Sequence, residues 1–387
     1  MKYVFFCPSY GFGGLEMQMV RKAADANERG DSALLVTAPG AKMAEYAESL
    51  GVAVRTVSVR IDYVDIAAAV KLGSILQKER ADACIVGITR HLSLAILAKK
   101  LFRLHTSVSL FQQMISGLRK IDPFHNWVYR NLDTAIVPTR LMVDLLASST
   151  TFPRENIRLV PYGIHLDECS ARGDDRVGAR EMFGIPRGAF VIGQTARFEP
   201  LKDQETTIRA FAEAEIPNSL LVLAGEGNHE YRAKMHELVS ELGIVESVRF
   251  IPFTHDFGAL LACLDIYVMS SLCETFSLAL IQAMAAGKPV IGTNAGGTPE
   301  AITHYENGLL FEPRDVRTLA SHLKLLFDET EFSERLGAQA ALDARSRYEH
   351  HKVNNEFFSA CVQSRAVAST SRPADVVPHG GMALRSE

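Results

Sequence analysis

Short apolar runs alternate with amphipathic stretches along most of the chain. The runs are rich in Val, Ile, Leu, Phe and Tyr and have the length of buried strands, whereas the stretches between them repeat apolar residues with the period of a helix. The runs that predict strands include 3–7, 33–37, 83–86, 106–111, 134–138, 190–195, 220–224, 248–251 and 264–269. A repeated strand–helix rhythm of this kind predicts an α/β protein with parallel sheets covered on both faces.

The rhythm is interrupted once, by a polar segment at 166–187 that contains an Asp-Asp pair. We therefore expect a first α/β unit at 1–165, a linker at 166–187 and a second unit at 188–348. A last helix is expected at 349–364. The tail at 365–387 turns to Ser, Pro, Gly and Ala, a composition that predicts disorder.

The stretch at 264–300 carries the clearest chemistry. An apolar run at 264–269 leads through a loop containing Glu274 into a helical pattern that begins near Phe276. Such a helix start lies at the carboxyl end of a strand, where α/β sheets bind ligands and free N–H groups attract anions. Glu274 there suits a ligand with both phosphates and hydroxyls, such as a nucleotide-sugar. It equally suits a carboxylate that merely favours the positive end of the helix.

Composition narrows the class of protein. The chain has 387 residues, of which 22% are charged, and no apolar run approaches the roughly 18 residues of a membrane span. Its six cysteines are scattered, which indicates a reducing cytoplasm and no structural metal. Residues 1–165 hold 20 Lys and Arg against 14 Asp and Glu. This basic front half suits an anionic acceptor, a membrane surface or a solvated surface of no special role. Its basic residues are not interleaved with stacking aromatics, which argues against nucleic-acid binding.

Several other polar positions follow predicted strands. The loop after the first strand contains Gly13 and Gly14, which would let the backbone approach a ligand or would simply form a tight turn. His91 begins a helix. Its side chain would act as a base, bind a substrate hydroxyl or be that of an ordinary helix-start residue. Arg197 and Lys202 follow strand 190–195, where they would clamp a diphosphate or lie free on the surface.

Two further stretches of the first half are candidates for contacts with other molecules. The helix after His91 pairs an apolar face with Lys99 and Lys100, so its apolar face would touch a membrane surface or pack in the core. The polar stretch at 112–127 contains Gln112 and Gln113. We interpret it as a loop that either contacts an acceptor or has no special role.

The motifs of the second half resemble a known family. In order they are TARFEPLKDQETTIRAF, LVLAGEGN, VRFIPF, LDIYVMSSLCETFSLALIQAMAAGKPVIGTNAGGTPEAI and NGLLFEP. Their order and spacing are similar to those of the retaining nucleotide-sugar glycosyltransferases of family four, also called glycosyl transferases group one. The resemblance runs from Gly13 to about Glu349. It implies the GT-B architecture, with two Rossmann-like doubly wound domains facing across a cleft and a C-terminal helix crossing back to the first.

The resemblance also implies roles for individual residues. Arg197 and Lys202 correspond to the cations that hold the donor diphosphate. Glu274 corresponds to the first acid of a Glu-x7-Glu motif that contacts the donor sugar. The remaining implied contacts are the backbone amides of Phe276, Ser277 and Leu278 with donor sugar and phosphate, the close approach of Gly14 to the phosphates, and an active-site histidine at His91.

Two positions depart from the pattern of the family. The second acid of the motif, which binds the nucleotide ribose in the family, is Gln282 here. Gln112 and Gln113 stand where many relatives carry a histidine. These departures leave open how the ribose is held and which group assists deprotonation of the acceptor.

Together these observations predict an enzyme that uses a nucleotide-sugar as substrate, with no cofactor and no metal, since no Asp-x-Asp occurs. The expected acceptor is a saccharide or a lipid-linked molecule in cell-envelope assembly. The expected location is cytoplasmic, with peripheral contact at the inner face of the membrane as an option. A sugar-nucleotide epimerase and a non-catalytic nucleotide-sugar-binding subunit remain alternatives.

Overall fold

The first half of the chain forms a seven-stranded parallel sheet. The computed structural model describes residues 1–114, 119–169, 176–254 and 256–362. The sheet has the strand order β3-β2-β1-β4-β5-β6-β7. Its strands are β1 (Lys2–Cys7), β2 (Ser32–Thr37), β3 (Ala53–Thr56), β4 (Ala83–Val86), β5 (Ser107–Phe111), β6 (Thr134–Val137) and β7 (Ile157–Leu159).

Helices cover both faces of this sheet. They are α1 (Gly14–Glu28), α2 (Lys42–Ser49), α3 (Ile66–Glu79), α4 (Leu92–Leu101), α5 (Pro123–Arg130) and α6 (Arg140–Ser149). Helices α3 to α6 share one core with the sheet, and α1 and α2 share the core on its other face. Most apolar residues of α4 are buried, namely Leu92, Leu94, Ala95, Ile96 and Ala98. Of the two alternatives for this helix, its apolar face therefore packs in the core.

Helix α5 corrects the prediction of a loop at 112–127. Asp122 accepts hydrogen bonds from the backbone N–H groups of Phe124 and His125, at 3.1 Å each, and Pro123 occupies the first turn. An Asp cap followed by Pro is a strong start signal for a helix. The polar composition of the stretch obscured that signal.

The second half forms a six-stranded parallel sheet in the order β10-β9-β8-β11-β12-β13. Its strands are β8 (Phe190–Thr195), β9 (Ser219–Ala224), β10 (Val248–Ile251), β11 (Ile266–Met269), β12 (Val290–Thr293) and β13 (Leu309–Phe311). Its helices are α9 (Gln204–Ala214), α10 (His229–Glu241), α11 (Phe257–Cys263), α12 (Leu278–Ala285), α13 (Thr298–Ala301), α14 (Val316–Asp328) and α15 (Thr330–Tyr348). The prediction of two parallel α/β sheets is confirmed.

The segment between the sheets contains two short helices, α7 (Leu166–Cys169) and α8 (Arg176–Met182). Cys169 and Ala179 are buried in the core of the second half. We retain 1–165, 166–187 and 188–348 as proposed divisions, with these helices as the connection. Residues 170–175 and the tail at 365–387 lie outside the described residues.

The chain returns to the first half through its last helix, α16 (His350–Val362). The backbone N–H of Ile164 donates to the Tyr348 carbonyl at 2.8 Å, and that of His350 donates to the Ile164 carbonyl at 3.1 Å. The two segments that connect the halves therefore run side by side. Phe357 and Phe358 are buried in the core that holds α1 and α2, which confirms the predicted C-terminal crossing.

Candidate active site

A cavity of about 240 Å³ opens at the carboxyl end of the second sheet. Its walls come from the loops after β8 and β11 and from the start of α12, as parallel sheets place their ligand sites. Among the residues that line it are Arg197, Lys202, Ser271, Glu274, Phe276 and Ser277. The structure thus brings together the second-half residues that the sequence singled out, apart from Gln282.

An ion pair between Lys202 and Glu274 lies at the centre of this cavity. Both side chains are mostly buried, each about 18% exposed. Ser271 also donates its hydroxyl to Oε1 of Glu274, at 3.1 Å. A charged pair that retains some access to solvent is positioned to exchange partners with an incoming ligand that carries both an anion and hydroxyls.

Two glycines hold the backbone of Glu274 in place. The N–H of Gly297 donates to the Glu274 carbonyl at 2.7 Å. Gly296 has φ +59°, and a Cβ there would lie 2.2 Å from the same carbonyl oxygen. Only glycine permits both this left-handed backbone and so close an approach. The glycine turn after β12 therefore supports the acidic loop after β11.

The backbone of Lys202 is held from the opposite wall. Residues Pro200–Lys202 form a single 3-10 turn. The Lys202 carbonyl accepts from Nε2 of Gln194 at 2.9 Å and from the hydroxyl of Ser270 at 3.0 Å. The position of the ammonium thus depends on buried side chains of β8 and of the loop after β11.

Arg197 lies at the rim of the cavity. Its side chain is about 72% exposed and makes an ion pair with Glu199 at 3.2 Å. Its carbonyl accepts from Nε2 of Gln204 at 2.9 Å, which fixes the backbone. The exposed guanidinium lies beside the cavity, where an anion would compete with Glu199 for it.

The start of α12 offers N–H groups to the same cavity. The Ser277 hydroxyl accepts from the N–H of Leu280 at 3.3 Å and caps the helix. Leu278 and Ala279 form its first turn and line the cavity. Early N–H groups of a helix have no intrahelical acceptor and favour an anion.

The ring of Phe276 joins this cavity to the first half. It packs edge-on against Tyr162 at a centroid distance of 5.2 Å and against Tyr348 at 5.5 Å. The Tyr162 hydroxyl donates to Gln113 Oε1 at 3.3 Å, and Gln113 Nε2 donates to the Leu15 carbonyl, also at 3.3 Å. Contacts therefore run from this wall of the cavity to the first turn of α1, next to Gly13 and Gly14.

The glycine loop before α1 is organised by a residue that the sequence analysis missed. Glu16 accepts from the N–H of Gly13 at 3.0 Å and from the Ser9 hydroxyl at 2.8 Å. Nothing in the described part of the chain lies within 4 Å of a Cβ built on Gly14. The loop is therefore rigid at Gly13 and open at Gly14. The sequence did contain a signal for this role, because a Glu at the third position of a helix often accepts a hydrogen bond from the backbone N–H of the cap residue.

His91 lies apart from the Lys202–Glu274 pair and does not line the same cavity. Its ring is buried, with Nε2 at 3.2 Å from Oδ1 of Asp62. Among the described residues, no partner meets its Nδ1. Burial lowers the pKa of His91, against the opposing effect of the Asp62 carboxylate. The imidazole is thus neutral at neutral pH.

Gln282 and Gln112 occupy different surroundings. Gln282 lies half-buried on α12, one turn beyond Leu278, and is not part of the cavity wall. Gln112 Nε2 donates to the Met114 carbonyl at 3.2 Å. Gln113 links the Tyr162 hydroxyl to the Leu15 carbonyl, as described above. Nothing in the sequence around Gln113 indicated this role.

Family models match both halves of the chain. Residues 13–163 match the glycosyl transferase 4-like domain, and residues 178–343 match the glycosyl transferases group 1 domain. The chain belongs to the glycosyl transferases of group 1. The resemblance inferred from the motifs is thereby confirmed.

The curated relatives of this group 1 chain carry different names. It is 28% identical over 256 residues to D-inositol 3-phosphate glycosyltransferase of Stackebrandtia nassauensis, covering 62% of this chain and 57% of that protein. It is 26% identical over 298 residues to N-acetyl-alpha-D-glucosaminyl L-malate synthase of Bacillus anthracis, covering 76% and 77% respectively. The chain thus spans little more than half the length of the first relative.

Solved structures confirm the GT-B fold. Anabaena HepE in complex with UDP superimposes with a TM-score of 0.80 at 21% identity, covering 93% of this chain and 99% of that one. WaaG, a glycosyltransferase involved in lipopolysaccharide biosynthesis, superimposes with a TM-score of 0.66 at 17% identity, covering 93% and 100%. At these identities the likeness shows the fold. No helix in the described ranges has the length and apolarity that a membrane crossing needs.

Proposed function

We propose that the chain transfers a hexose from a nucleotide-sugar to an acceptor hydroxyl with retention of anomeric configuration. The observation that carries this proposal is the Lys202–Glu274 pair inside a cavity that also contains the start of α12. Lys202, Arg197 and the amides of Phe276, Ser277 and Leu278 bind the diphosphate and sugar. Glu274 accepts hydrogen bonds from hydroxyls of the donor sugar.

Charge neutralisation by the protein drives departure of the nucleotide. The bond between the anomeric carbon and the diphosphate oxygen breaks, and negative charge grows on that oxygen. Preorganised cations and helix N–H groups stabilise charge that develops in this way. The acceptor oxygen bonds to the same face of the anomeric carbon, and its proton passes to the departing phosphate oxygen. No divalent metal and no carboxylate nucleophile takes part in this scheme.

The first half supplies the wall of the active site that faces the cavity of the second half. Gly13 and Gly14 let the loop before α1 approach the donor phosphates, since the position of a Cβ on Gly14 is open. His91, neutral and held by Asp62, binds a hydroxyl on the acceptor side. Gln282 binds the nucleotide ribose with an amide in place of a carboxylate once the two halves close.

We further propose a UDP-linked donor and a saccharide or lipid-linked acceptor in cell-envelope assembly, at the cytoplasmic face of the membrane. The support for the donor is HepE, described in complex with UDP-glucose. The support for the setting is the likeness to WaaG and the excess of cations in residues 1–165.

A thermal-shift panel tests donor binding. The full chain is melted without metal and with UDP-, GDP-, ADP- and dTDP-linked sugars, since a ligand that binds only the folded state raises Tm. We expect a shift with UDP-glucose that Lys202→Ala abolishes. Absence of any shift with all four classes would contradict the proposal.

A product assay then separates transfer from the alternatives. NMR of the product formed with UDP-glucose and an acceptor should show the anomeric configuration of the donor. A changed sugar nucleotide formed without acceptor would instead identify an epimerase. Donor binding with no turnover across an acceptor panel would favour a non-catalytic subunit.

A further inference from the structure

A second cavity lies at the amino edge of the second sheet, away from the candidate active site. Its volume is about 440 Å³, within the range of about 300–1,000 Å³ that is usual for small-molecule sites. Helix α8, the segments that lead into β8, β9 and β11, and the end of α14 form its walls. Among the residues that line it are Arg176, Arg180, Arg187, Phe190, Asp265 and Phe327.

The two cavities lie at opposite ends of β8. Phe190, the first residue of this strand, lines the second cavity, whereas Gln194 and Thr195 at its end line the candidate active site. Because a parallel strand rises about 3.3 Å per residue, roughly 17 Å of strand separates the two cavities. A small ligand in the second cavity therefore does not overlap a donor in the first.

Positive charge dominates the walls of this second cavity. Arg176, Arg180 and Arg187 line it, and Asp265 is the only acid among the lining residues that the structure describes. We call this site the arginine cavity. Guanidinium groups bind carboxylates and phosphates through paired N–H donors. The surplus of arginine therefore indicates an anionic ligand.

Arg180 holds the walls of the arginine cavity in place. Its side chain is about 2% exposed and pairs with Asp265 at 3.0 Å. It also donates to the carbonyls of Ala189 at 2.9 Å and of Cys263 at 3.1 Å. These bonds connect α8 to the segments that enter β8 and β11. Within the described ranges, no acceptor meets its Nε.

The carboxylate of Asp265 is shared between two cations. Its Oδ1 pairs with Arg176, and its Oδ2 pairs with Arg180 and accepts from the N–H of Val191 at 2.8 Å. Burial, and next the charge of Arg176, lower the pKa of nearby Lys288 to about 8. One carboxylate thus serves a group of cations that repel one another, and a bound anion would relieve that repulsion.

Arg176 and Arg187 are the cations that a ligand can reach. Their side chains are 45% and 70% exposed. Arg187 pairs with Glu181, which is also exposed, and such surface pairs contribute little to stability. An incoming anion therefore displaces Glu181 at little cost. Two guanidinium groups suit a phosphomonoester, which carries nearly two charges near neutral pH, better than a carboxylate, which carries one.

The remaining walls suit an organic body that carries hydroxyls. Phe190 and Phe327 pack edge-on at a centroid distance of 5.0 Å, and both line the cavity. Aromatic walls with a few polar groups are typical of small-molecule sites. Asn218 also lines the cavity, and its Nδ2 donates to the Gly188 carbonyl at 2.8 Å. Its Oδ1 is thus the atom that would accept from a hydroxyl of the ligand.

We propose that the arginine cavity binds a sugar phosphate, as a second ligand distinct from the nucleotide-sugar donor. Arg176 and Arg187 hold the phosphate, the two phenylalanine rings pack against the sugar, and Asn218 accepts from one of its hydroxyls. Because α8 belongs to the segment that connects the halves, the ligand lies where that connection meets the second half. This site goes beyond the proposed function and does not require the donor to bind.

Titration calorimetry of the full chain tests the proposal. The probes are glucose 6-phosphate, glucose, glucuronate and inorganic phosphate, with UDP present to occupy the candidate active site. We expect one glucose 6-phosphate per chain, with binding that weakens as salt is raised. Its Kd should be about tenfold or more below those of glucuronate and inorganic phosphate, since each lacks part of the charge or the body of the ligand. Glucose should not bind.

Substitution of the two exposed arginines locates the site. Arg176→Gln and Arg187→Gln should each raise the Kd for glucose 6-phosphate about tenfold or more, because each removes charge-assisted hydrogen bonds. Arg154→Gln is the matched control, since Arg154 is 62% exposed and pairs with Asp144 in the first half. It should bind glucose 6-phosphate as the parent does. All three variants should keep the Tm of the ligand-free parent.

Lys202→Ala separates this site from the candidate active site. It should bind glucose 6-phosphate as the parent does, whether or not UDP binds. Loss of binding in Lys202→Ala would place the ligand in the active site and overturn the proposal.

Four further outcomes would also overturn it. The first is no binding of glucose 6-phosphate to the parent. The second is an equal Kd for inorganic phosphate, which would show a general anion site only. The third is an equal Kd for glucuronate, which would show that the site does not select phosphate. The fourth is an unchanged Kd in both arginine variants.

Discussion

Glu300 of the second half caps a helix of the first half at Arg140. Its Oε2 accepts from the backbone N–H of Arg140 at 2.7 Å, and its Oε1 accepts from that of Leu141 at 2.9 Å. Arg347 in turn donates to the Glu300 carbonyl at 2.6 Å. Glu300 lies in the first turn of α13, but its carboxylate binds the N-terminus of α6. The halves thus meet at this carboxylate as well as at the contact between Phe276 and Tyr162.

Removal of this contact should loosen the packing of the two halves against each other. Glu300→Ala leaves two N–H groups of α6 without their acceptor and removes a charge from the positive end of a helix. We expect the free energy of unfolding to fall by about 1–2 kcal/mol, and the radius of gyration from small-angle X-ray scattering to rise. Glu306→Ala, at an exposed position of the same half, is the control. An unchanged radius of gyration would contradict a clasping role.

Loss of the cavity cation should reduce turnover more than stability. Lys202→Ala removes the ammonium that we propose stabilises the departing diphosphate, so kcat should fall about 10²–10³-fold. Arg197→Ala should act in the same direction. The matched control is Lys234→Ala, on the exposed side of α10. Initial rates with UDP-glucose check this, and near-normal kcat for Lys202→Ala would exclude the assigned role.

The glycine turn behind Glu274 can be tested with a matched pair of glycines. Gly296→Ala introduces a Cβ that would lie 2.2 Å from the Glu274 carbonyl oxygen, at φ +59°. Gly243→Ala imposes a similar φ of +69° with nothing in the described chain within 4 Å. The Gly243 variant should lose about 1 kcal/mol of unfolding free energy from backbone strain alone.

Gly296→Ala should lose more than about 2 kcal/mol and should also weaken donor binding, because it displaces the loop of Glu274. Chemical denaturation and calorimetric titration with UDP-glucose measure the two effects. Equal losses in both variants, with unaltered donor affinity, would show that the turn does not position Glu274.

Gln282 provides a test of nucleotide contact. Gln282→Glu restores the acid that the family carries, and a carboxylate forms stronger hydrogen bonds to ribose hydroxyls than a neutral amide does. We expect the Kd for UDP to fall several-fold, with a smaller change for free glucose. Titration calorimetry of both ligands gives the answer. Identical Kd values for UDP would remove residue 282 from the nucleotide site.

The free energy of unfolding should decrease on mild acidification because of His165, which lies where the two halves are connected. The rings of His165 and His350 lie against each other at a centroid distance of 3.6 Å, with an angle of 31° between their planes. Burial, and next the charge of His350, lower the pKa of His165 below its ordinary value of 6.5. The unfolded chain therefore takes up a proton first as the pH falls, so protonation favours unfolding. The contribution is fully present above about pH 6.5 and is lost below it.

The free energy of unfolding, measured between about pH 7 and about pH 5, should accordingly fall less steeply in His165→Gln than in the parent. Exposed His105→Gln is the control. His91 shifts in the same direction and remains in both variants, so the slope should shrink without vanishing. An identical slope would assign the acid sensitivity elsewhere.

Local features explain how much of the fold was predicted. Strand composition, helical period and cap residues act within a few positions of each other, so the βα order and most helix starts were legible along the chain. Helix α5 was missed although Asp122 and Pro123 signalled it, because the polar stretch before it dominated the interpretation. Cys169 and Ala179 lie in the core of the second half. The polar composition of the segment around them had not indicated that they would be buried.

The sequence by itself determined the two α/β halves and the family, and it identified Lys202 and Glu274 individually as candidate site residues. Only the tertiary structure decided that these two side chains, 72 positions apart, form one ion pair. It alone decided that Glu300 reaches α6, and that Phe276 meets Tyr162. The first contact arises where two loops meet at the carboxyl end of one sheet, and the other two depend on how the halves pack against each other. No periodicity or spacing along the chain shows which distant loops will meet.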